Sequence, residues 1–305
     1  MTDIALAAAA AQIKAATPGQ PEVKSFFDPE TFTATHVAHD PSTGRAAVID
    51  SVLDFDPASG RTATHMADQV IAYLRAAGLT LEWLLETHAH ADHLSAAAYI
   101  QKACGGRIAI GYEILTVQAN FGQIFNLGAE FKRDGSQFDH LFTDGESFRL
   151  GDVPALALHV PGHTPADLAY VIGGVAFVGD TLFMPDYGTA RADFPGGHAG
   201  QLYRSIHRLL ALPEHTKLYL CHDYKAEGRD SFVFETSVAD ERQHNIHVHD
   251  GVSEADFIAM RQARDKTLGM PRLLLPSVQV NIRAGHLPPP EENGVRYLKL
   301  PLDLL

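Results

Sequence analysis

Cysteine is nearly absent from this 305-residue chain. Cys104 and Cys221 are the only two, so neither a disulfide framework nor a cysteine-rich zinc module is available. Positive charge is also scarce. Lysine and arginine number 24 against 37 acids, a formal net charge of −13 with a pI near 5.6, and the basic field of a nucleic-acid binder that grips phosphates is missing. Any anionic substrate must therefore be met by a local cluster of arginine and lysine. No run of eighteen apolar residues occurs, so no membrane-spanning helix is expected. The Ala-rich stretch Ile4–Ala11 lacks the cationic flank of a secretory signal, carries Asp3 instead, and gives way to Gln12 and Lys14. It reads as a short N-terminal helix or arm on a cytoplasmic protein. There is no internal repeat, and no low-complexity tract beyond these alanines. Histidine, by contrast, is abundant at 17 residues.

At 46% hydrophobic and 20% charged residues, the composition is that of a globular chain able to bury a sizeable core. β-type runs appear at Phe32–His39 and Ala46–Leu53, separated by a turn at Asp40–Gly44. Met66, Val70, Ile71, Leu74 and Ala77 share one helical face before the stop at Gly78. A buried strand at Leu81–Glu86, a helix at Ser95–Cys104 and a short strand at Arg107–Ile110 follow. A β-rich stretch from Phe138 to Val178 turns around Gly173–Gly174. Beyond it the pattern predicts helices near Gln201–Leu212, Phe234–His244 and Ser253–Leu268, with a strand at Lys217–Cys221. Strands and helices thus alternate in two successive blocks. That order predicts a mixed α/β (α+β) fold, an αββα sandwich of two facing sheets with helices outside, rather than a doubly wound parallel sheet. The expected divisions are an arm over 1–20, a main domain over 21–270 and a C-terminal wrap over 271–305 continuous with it. The wrap is Pro-rich without a long periodic element, yet Leu273–Leu275, Val278–Ile282 and Tyr297–Leu302 are too apolar to stay solvated.

The chemistry concentrates at Thr87-His88-Ala89-His90-Ala91-Asp92-His93, where a buried strand meets a loop before a helix. Three imidazoles and a carboxylate within six residues offer ligands to one or two transition metals. Without a metal, so many titratable groups packed together would be costly. Three further candidates repeat one geometry, a rigid segment presenting one ligand at its tip. His163 sits in the Pro161–Pro165 turn, Asp180 closes the apolar run Val175–Gly179, and His222 follows Leu218–Cys221. Rigid support of this kind is what a preorganised metal site needs.

The ordered set His88, His90, Asp92, His93, His163, Asp180 and His222 resembles the metallo-β-lactamase superfamily over most of residues 20–250. Within it, Gly179–Phe183, Gly188–Phe194 and His222–Tyr224 are most similar to the glutathione-persulfide dioxygenases. The spacing around Gly188 and the tail Pro276–Asn281 resemble their bacterial branch, which includes β-lactamase-like hydrolases. The resemblance implies one Fe(II) per chain held by His88, His163 and Asp180, a 2-His-1-carboxylate face with positions left for water, O2 and a substrate sulfur. Glutathione persulfide and O2 would be the substrates, sulfite and glutathione the products, and a homodimer the suggested assembly. In that reading His90, Asp92, His93 and His222 orient ligands and water. In hydrolytic relatives the same four complete two zinc sites with Asp180 bridging. A dinuclear Zn(II) thioesterase of the glyoxalase II kind therefore stays open, although the tail does not look like that family's longer helical C-terminal region.

An acidic protein acting on an anionic thiol needs a focused basic mouth. Arg191 matches an arginine beside the iron site of the resembled family, and a guanidinium can grip carboxylate bidentately. A salt bridge to Asp193 is its structural alternative. Tyr224 could donate to substrate, and Arg242 and Arg283 are further candidates, Arg242 having Glu241 and Asp240 beside it. Cys104 reads as a buried helix-end thiol and Cys221 as a core residue at a strand end. His244, His247 and His249 are expected on a polar helix end without a role.

Overall fold

In the computed structural model, which describes residues 3–304, two six-stranded sheets face each other. The first runs β1 (Glu22–Asp28), β2 (Thr33–His39), β3 (Arg45–Ile49), β6 (Thr80–Leu85), β8 (Arg107–Gly111), β9 (His140–Phe142) in spatial order. The second runs β10 (Ser147–Leu150), β11 (Val153–His159), β12 (Leu168–Ile172), β13 (Val175–Phe177), β14 (Lys217–Tyr219), β15 (Glu235–Ser237). A small third sheet joins β4 (Val52–Asp56) to β5 (Arg61–Ala63) and β7 (Leu94–Ser95). The helices are α1 (Ile4–Ala15), α2 (His65–Ala76), α3 (Ala97–Cys104), α4 (Ile114–Ile124), α5 (Ala199–Leu210), α6 (Val238–His244), α7 (Glu254–Asp265) and α8 (Leu274–Asn281). No helix among the described residues is long and apolar enough to cross a membrane.

Three buried clusters hold these layers together. Ile49, Leu85, Trp83, Phe142, Tyr170 and Phe177 interleave between the two sheets, and Trp83 Nε1 ties them by donating to the Arg149 carbonyl at 3.0 Å. On the outer face of the first sheet α2 buries Met66, Ala67, Val70, Ile71 and Leu74, the stripe that its 3.6-residue period predicts. On the outer face of the second, Leu202, Ile206 and Leu209 of α5 pack with Ala9 and Ile13 of α1. Each of the larger aliphatic side chains among them contributes roughly 1.5–3 kcal/mol on burial. The result is the αββα sandwich that the element order predicts.

Several local expectations are corrected. The run Ala46–Leu53 is not one strand, because Asp50 takes a left-handed φ of 52° and turns the chain from β3 into β4 of another sheet. The segment expected as a helix from Phe234 begins as β15, and Ser237 then caps α6 by accepting from Asp240 N–H. Strand β1 and helix α4 lie outside the expected set. β1 is an edge strand with only its last residue buried, and α4 carries Asn120 and Gly122 within its apolar pattern. The C-terminal segment does hold a helix, α8, whose Leu274, Val278 and Val280 are buried. Farther on, Tyr297, Leu300 and Leu302 are exposed rather than covered. That stretch is anchored by its backbone instead, with Gln279 bonding both N–H and C=O of Lys299 at 2.8 and 2.9 Å.

The strand directions position the site. β3, β6 and β8 are mutually parallel in the first sheet, and β13 pairs parallel with β14 in the second. The segments that leave β6, β13 and β14 carry His88–His93, Asp180 and His222, and these meet at one edge of the sandwich.

Candidate metal centre

Seven side chains converge there in two groups. His88, His163 and Asp180 form one, and His90, Asp92, His93 and His222 the other, with the ligand atoms of each group within 4.8 Å of one another; Asp180 also meets Cys221 and His222 within that distance, and His90 meets Asp50 and Cys221. His163 Nε2 lies 3.5 Å and His88 Nε2 3.8 Å from Asp180 Oδ2. His222 Nε2 lies 3.2 Å from Asp180 Oδ1 and 3.3 Å from Asp92 Oδ2. Ligands sharing one ion at metal–ligand lengths of about 2.1 Å sit about 3.4 Å apart in tetrahedral geometry, so these separations fit.

Local bonds fix which imidazole nitrogen faces inward. His163 Nδ1 donates to the Arg191 carbonyl at 2.8 Å and His222 Nδ1 to the Phe32 carbonyl at 3.2 Å, which leaves each Nε2 free. His90 is reversed. Its Nε2 bonds Asp50 Oδ1 at 3.0 Å, and Nδ1 turns inward. Partners on the far nitrogen of this kind orient metal-binding histidines and set their tautomer. Among the described residues, His88 Nε2, His90 Nδ1, His93 Nε2, His222 Nε2 and Asp180 Oδ1 are buried with no hydrogen-bond partner. Buried polar atoms are costly to leave unpaired, and so many aimed at one place fit a metal.

Charge agrees with geometry. Burial, then the neighbouring imidazoles, hold His88 and His90 well below the usual histidine range, so both are neutral with a lone pair to offer. Burial pushes the Asp92 carboxyl up, but His222 and His93 outweigh it and keep it well below the usual range, hence ionised. Behind the site, burial and the charge of Asp50 push Glu86 up to about 8.

A cavity of about 410 Å³ opens onto this cluster, with Asp92, His163 and Asp180 in its lining. That volume is within the range of small-molecule sites, about 300–1,000 Å³. Phe32, Phe183, Tyr187, Phe194 and Tyr224 supply an aromatic wall, and Tyr224 stacks on His222 at 5.6 Å.

A sequence profile described as the Metallo-beta-lactamase superfamily matches residues 40–222, more than half of the chain. The chain belongs to the metallo-β-lactamase superfamily. Enzymes of this superfamily use metal ions, in keeping with the donor cluster. A probable metallo-hydrolase of Burkholderia pseudomallei is 56% identical over 93% of this chain and 99% of its own length. Glyoxylase B2 of Dictyostelium discoideum is 48% identical over 93% and 98%. The chain spans 65% of the length of further relatives called beta-lactamase hydrolase-like proteins, including that of Agrobacterium fabrum, at 50% identity over 93% of this chain. The mitochondrial persulfide dioxygenase ETHE1 of mouse is 27% identical over 88% and 90%. Among solved structures, ETHE1 from Myxococcus xanthus superimposes with a TM-score of 0.69 at 30% identity, covering 87% of this chain and 99% of that one.

The other sequence candidates in this metallo-β-lactamase fold divide. Arg191 and Tyr224 line the cavity, but the Arg191 fork is taken: Nε and Nη2 bond Asp193 at 2.6 and 2.8 Å, and Nη1 bonds the Gly269 carbonyl at 2.7 Å. Arg242 and Arg283 are not at the cavity. Arg242 pairs with Asp250 and Glu214 on an outer face, and Arg283 lies over the Phe131 ring at 4.5 Å. Cys221 is buried, whereas Cys104 is only half-buried. His247, given no role in sequence, accepts from Thr189 N–H at 3.1 Å beneath the cavity-lining loop. Asp50 reads in sequence as part of the run Ala46–Leu53, and its role emerges only from its positive φ and its bonds to Thr87 and His90. Arg261, Arg264 and Arg272 carry no local pattern that marks them, and Asn281 closes the Pro276–Asn281 tail with no role that the sequence assigns to it.

Proposed function

We propose that this chain is a mononuclear non-haem iron(II) dioxygenase that turns glutathione persulfide, O2 and water into glutathione, sulfite and two protons. The observation that carries this reading is the partition of the cluster. His88, His163 and Asp180 make a three-residue face that adjoins the other group through Asp180 and His222, while His90 falls in that other group and is tethered to Asp50. Two histidines and one carboxylate are the donor set of non-haem Fe(II) oxygenases. Iron(II) held there would supply the electron transfer that lets O2 react with sulfur. The chain's own residues bind and orient. The Arg191 carbonyl fixes the His163 ring, Asp50 fixes His90, and burial keeps His88 and His90 neutral. Phe183, Phe194 and Tyr224 present apolar surface to a soft sulfur and thin out the water around it. The likeness to the ETHE1 proteins supports the same reading.

The four-residue group favours a second reading, a dinuclear zinc hydrolase of S-acylglutathione. His90, His93 and His222 all aim an unpartnered nitrogen inward, and relatives at 48–56% identity carry the names metallo-hydrolase and Glyoxylase. Metal analysis and oxygen uptake on purified protein given glutathione persulfide separate the two. About one iron per chain with oxygen consumed and sulfite formed is the expected result. About two zinc per chain, no oxygen uptake and hydrolysis of an S-acylglutathione overturns it.

A further inference from the structure

The chain carries 13 more acids than bases, so an anionic substrate must find its positive charge locally. Arg191 does not provide it freely, since all three of its nitrogens are engaged by Asp193 and Gly269. Arg261 is buried at 1% exposure and spent on Asp265 and on the Thr189 carbonyl. Two other arginines in the same lining differ. Arg264, at the end of α7, and Arg272, just before α8, are exposed, line the cavity, and form no salt bridge or side-chain hydrogen bond among the described residues. Unpartnered guanidinium groups at the mouth of a cavity focus positive potential on an anion that enters it.

Arg272 also lines a second cavity of about 500 Å³, which shares Glu30, Thr31, Arg272 and Leu273 with the first. A molecule that reacts at the metal and extends from the first cavity into the second passes Arg272 on the rim they share. Glu30 is the negative group on that shared rim, and Asp28, Asp54 and Asp56 line the second cavity beyond it; none of them forms a salt bridge with Arg272 among the described residues, although the charge of Arg272 reaches Asp56. The positive field reaches inward too: burial first, then Arg261 and Arg264, bring His247 down to about 4.

We propose that Arg264 and Arg272 form an oxyanion-binding rim that grips the charged tail of a thiol carrier whose sulfur is at the metal centre. The rim selects carriers with carboxylate or phosphate groups over uncharged thiols. The inference rests on the thiol-carrier reading above, and applies to the dioxygenase and the hydrolase alike. A guanidinium meets either oxyanion through paired N–H donors.

Calorimetric binding without turnover tests it, on protein loaded with metal. Glutathione is compared with its diethyl ester, and coenzyme A with pantetheine. Each pair shares one thiol, so contact with the metal cancels. Wild type is expected to prefer the charged member of at least one pair by about tenfold or more, as for hydrogen bonds to charged groups. The pair that shows it distinguishes a carboxylate from a phosphate. The Arg264→Gln/Arg272→Gln double variant is expected to lose that preference while keeping its metal content and melting temperature, as exposed side chains allow. No preference in wild type, or an undiminished preference in the double variant, overturns the proposal. Oxygen uptake plays no part in this readout, so the dioxygenase reading and the rim can fail separately.

Discussion

The side chain of Asn281 holds the backbone of His93: its Nδ2 donates to the His93 carbonyl at 2.8 Å, and equally to that of His90. Its Oδ1 accepts from Ser95 N–H at 2.8 Å. One buried amide near the C-terminus thus uses every bond it has on the loop that carries four of the seven donors. Asn281→Ala leaves two carbonyls and one N–H without partners, at a cost of about 1–3 kcal/mol for each group that water does not reach. Because the loop positions ligands, metal affinity is expected to fall by about 10- to 100-fold as well. Urea unfolding of the metal-free protein and metal titration against a competing chelator measure the two separately. Lower stability with unchanged metal affinity would reduce Asn281 to a structural staple.

His93→Ala discriminates between the two metal readings. His93 lies outside the His88–His163–Asp180 face. With a mononuclear centre the variant retains about one iron and loses activity through disturbed ordering around Asp92 and His222. With a dinuclear centre it binds about half the wild-type metal. Elemental analysis after gel filtration reads the difference directly.

Gly162→Ala tests how tightly the His163 turn is built. Gly162 has φ +148°, and a Cβ there would lie 2.2 Å from Leu202 N and 2.3 Å from Leu202 Cα, both backbone atoms of α5. The neighbouring turn also uses Gly162, whose carbonyl accepts from His198 N–H at 2.8 Å. A methyl group must push α5 away or drag His163 out of line. A loss of about 2–4 kcal/mol in unfolding free energy is expected, with metal binding impaired. Retained metal affinity at full stability would contradict the close approach.

The candidate donors are legible in the sequence because each is local. His88, His90, Asp92 and His93 form a compact string, and His163, Asp180 and His222 each follow a recognisable strand or turn. The sandwich was legible for a related reason, since period and order of elements are properties of short windows. What escaped depends on contacts between distant segments. Asp50 reads as part of a strand until its positive φ and its bonds to Thr87 and His90 are seen. Arg264 and Arg272 reach the cavity only because α7 and the segment before α8 fold back beside it. Arg242 and Arg283 offer charge but no signal of position, and tertiary contacts hold both elsewhere.

Glu241 gives the protein a dependence on pH that arises away from the metal cluster. It is fully buried on α6, and burial pushes its carboxyl up to about 8, with Asp240 and Asp186 adding to the rise and the bond from Asn245 opposing it. Asn245 in turn donates to the Gly188 carbonyl at 3.0 Å, so the carboxyl supports the loop that lines the cavity. Between the ordinary glutamate value of 4.5 and about 8, the folded chain keeps a proton that the unfolded chain has released. Stability from this group is therefore fully present below 4.5, is lost as pH rises through that window, and levels off above it. The slope is at most about 1.4 kcal/mol per pH unit. Glu241→Gln keeps the shape and has no proton to lose. Its melting temperature relative to wild type is expected to climb steadily from pH 5 to pH 8 and then run parallel. Melting curves that stay parallel across the whole range would mean that Glu241 is ionised in the folded protein and paired by a group not facing it here.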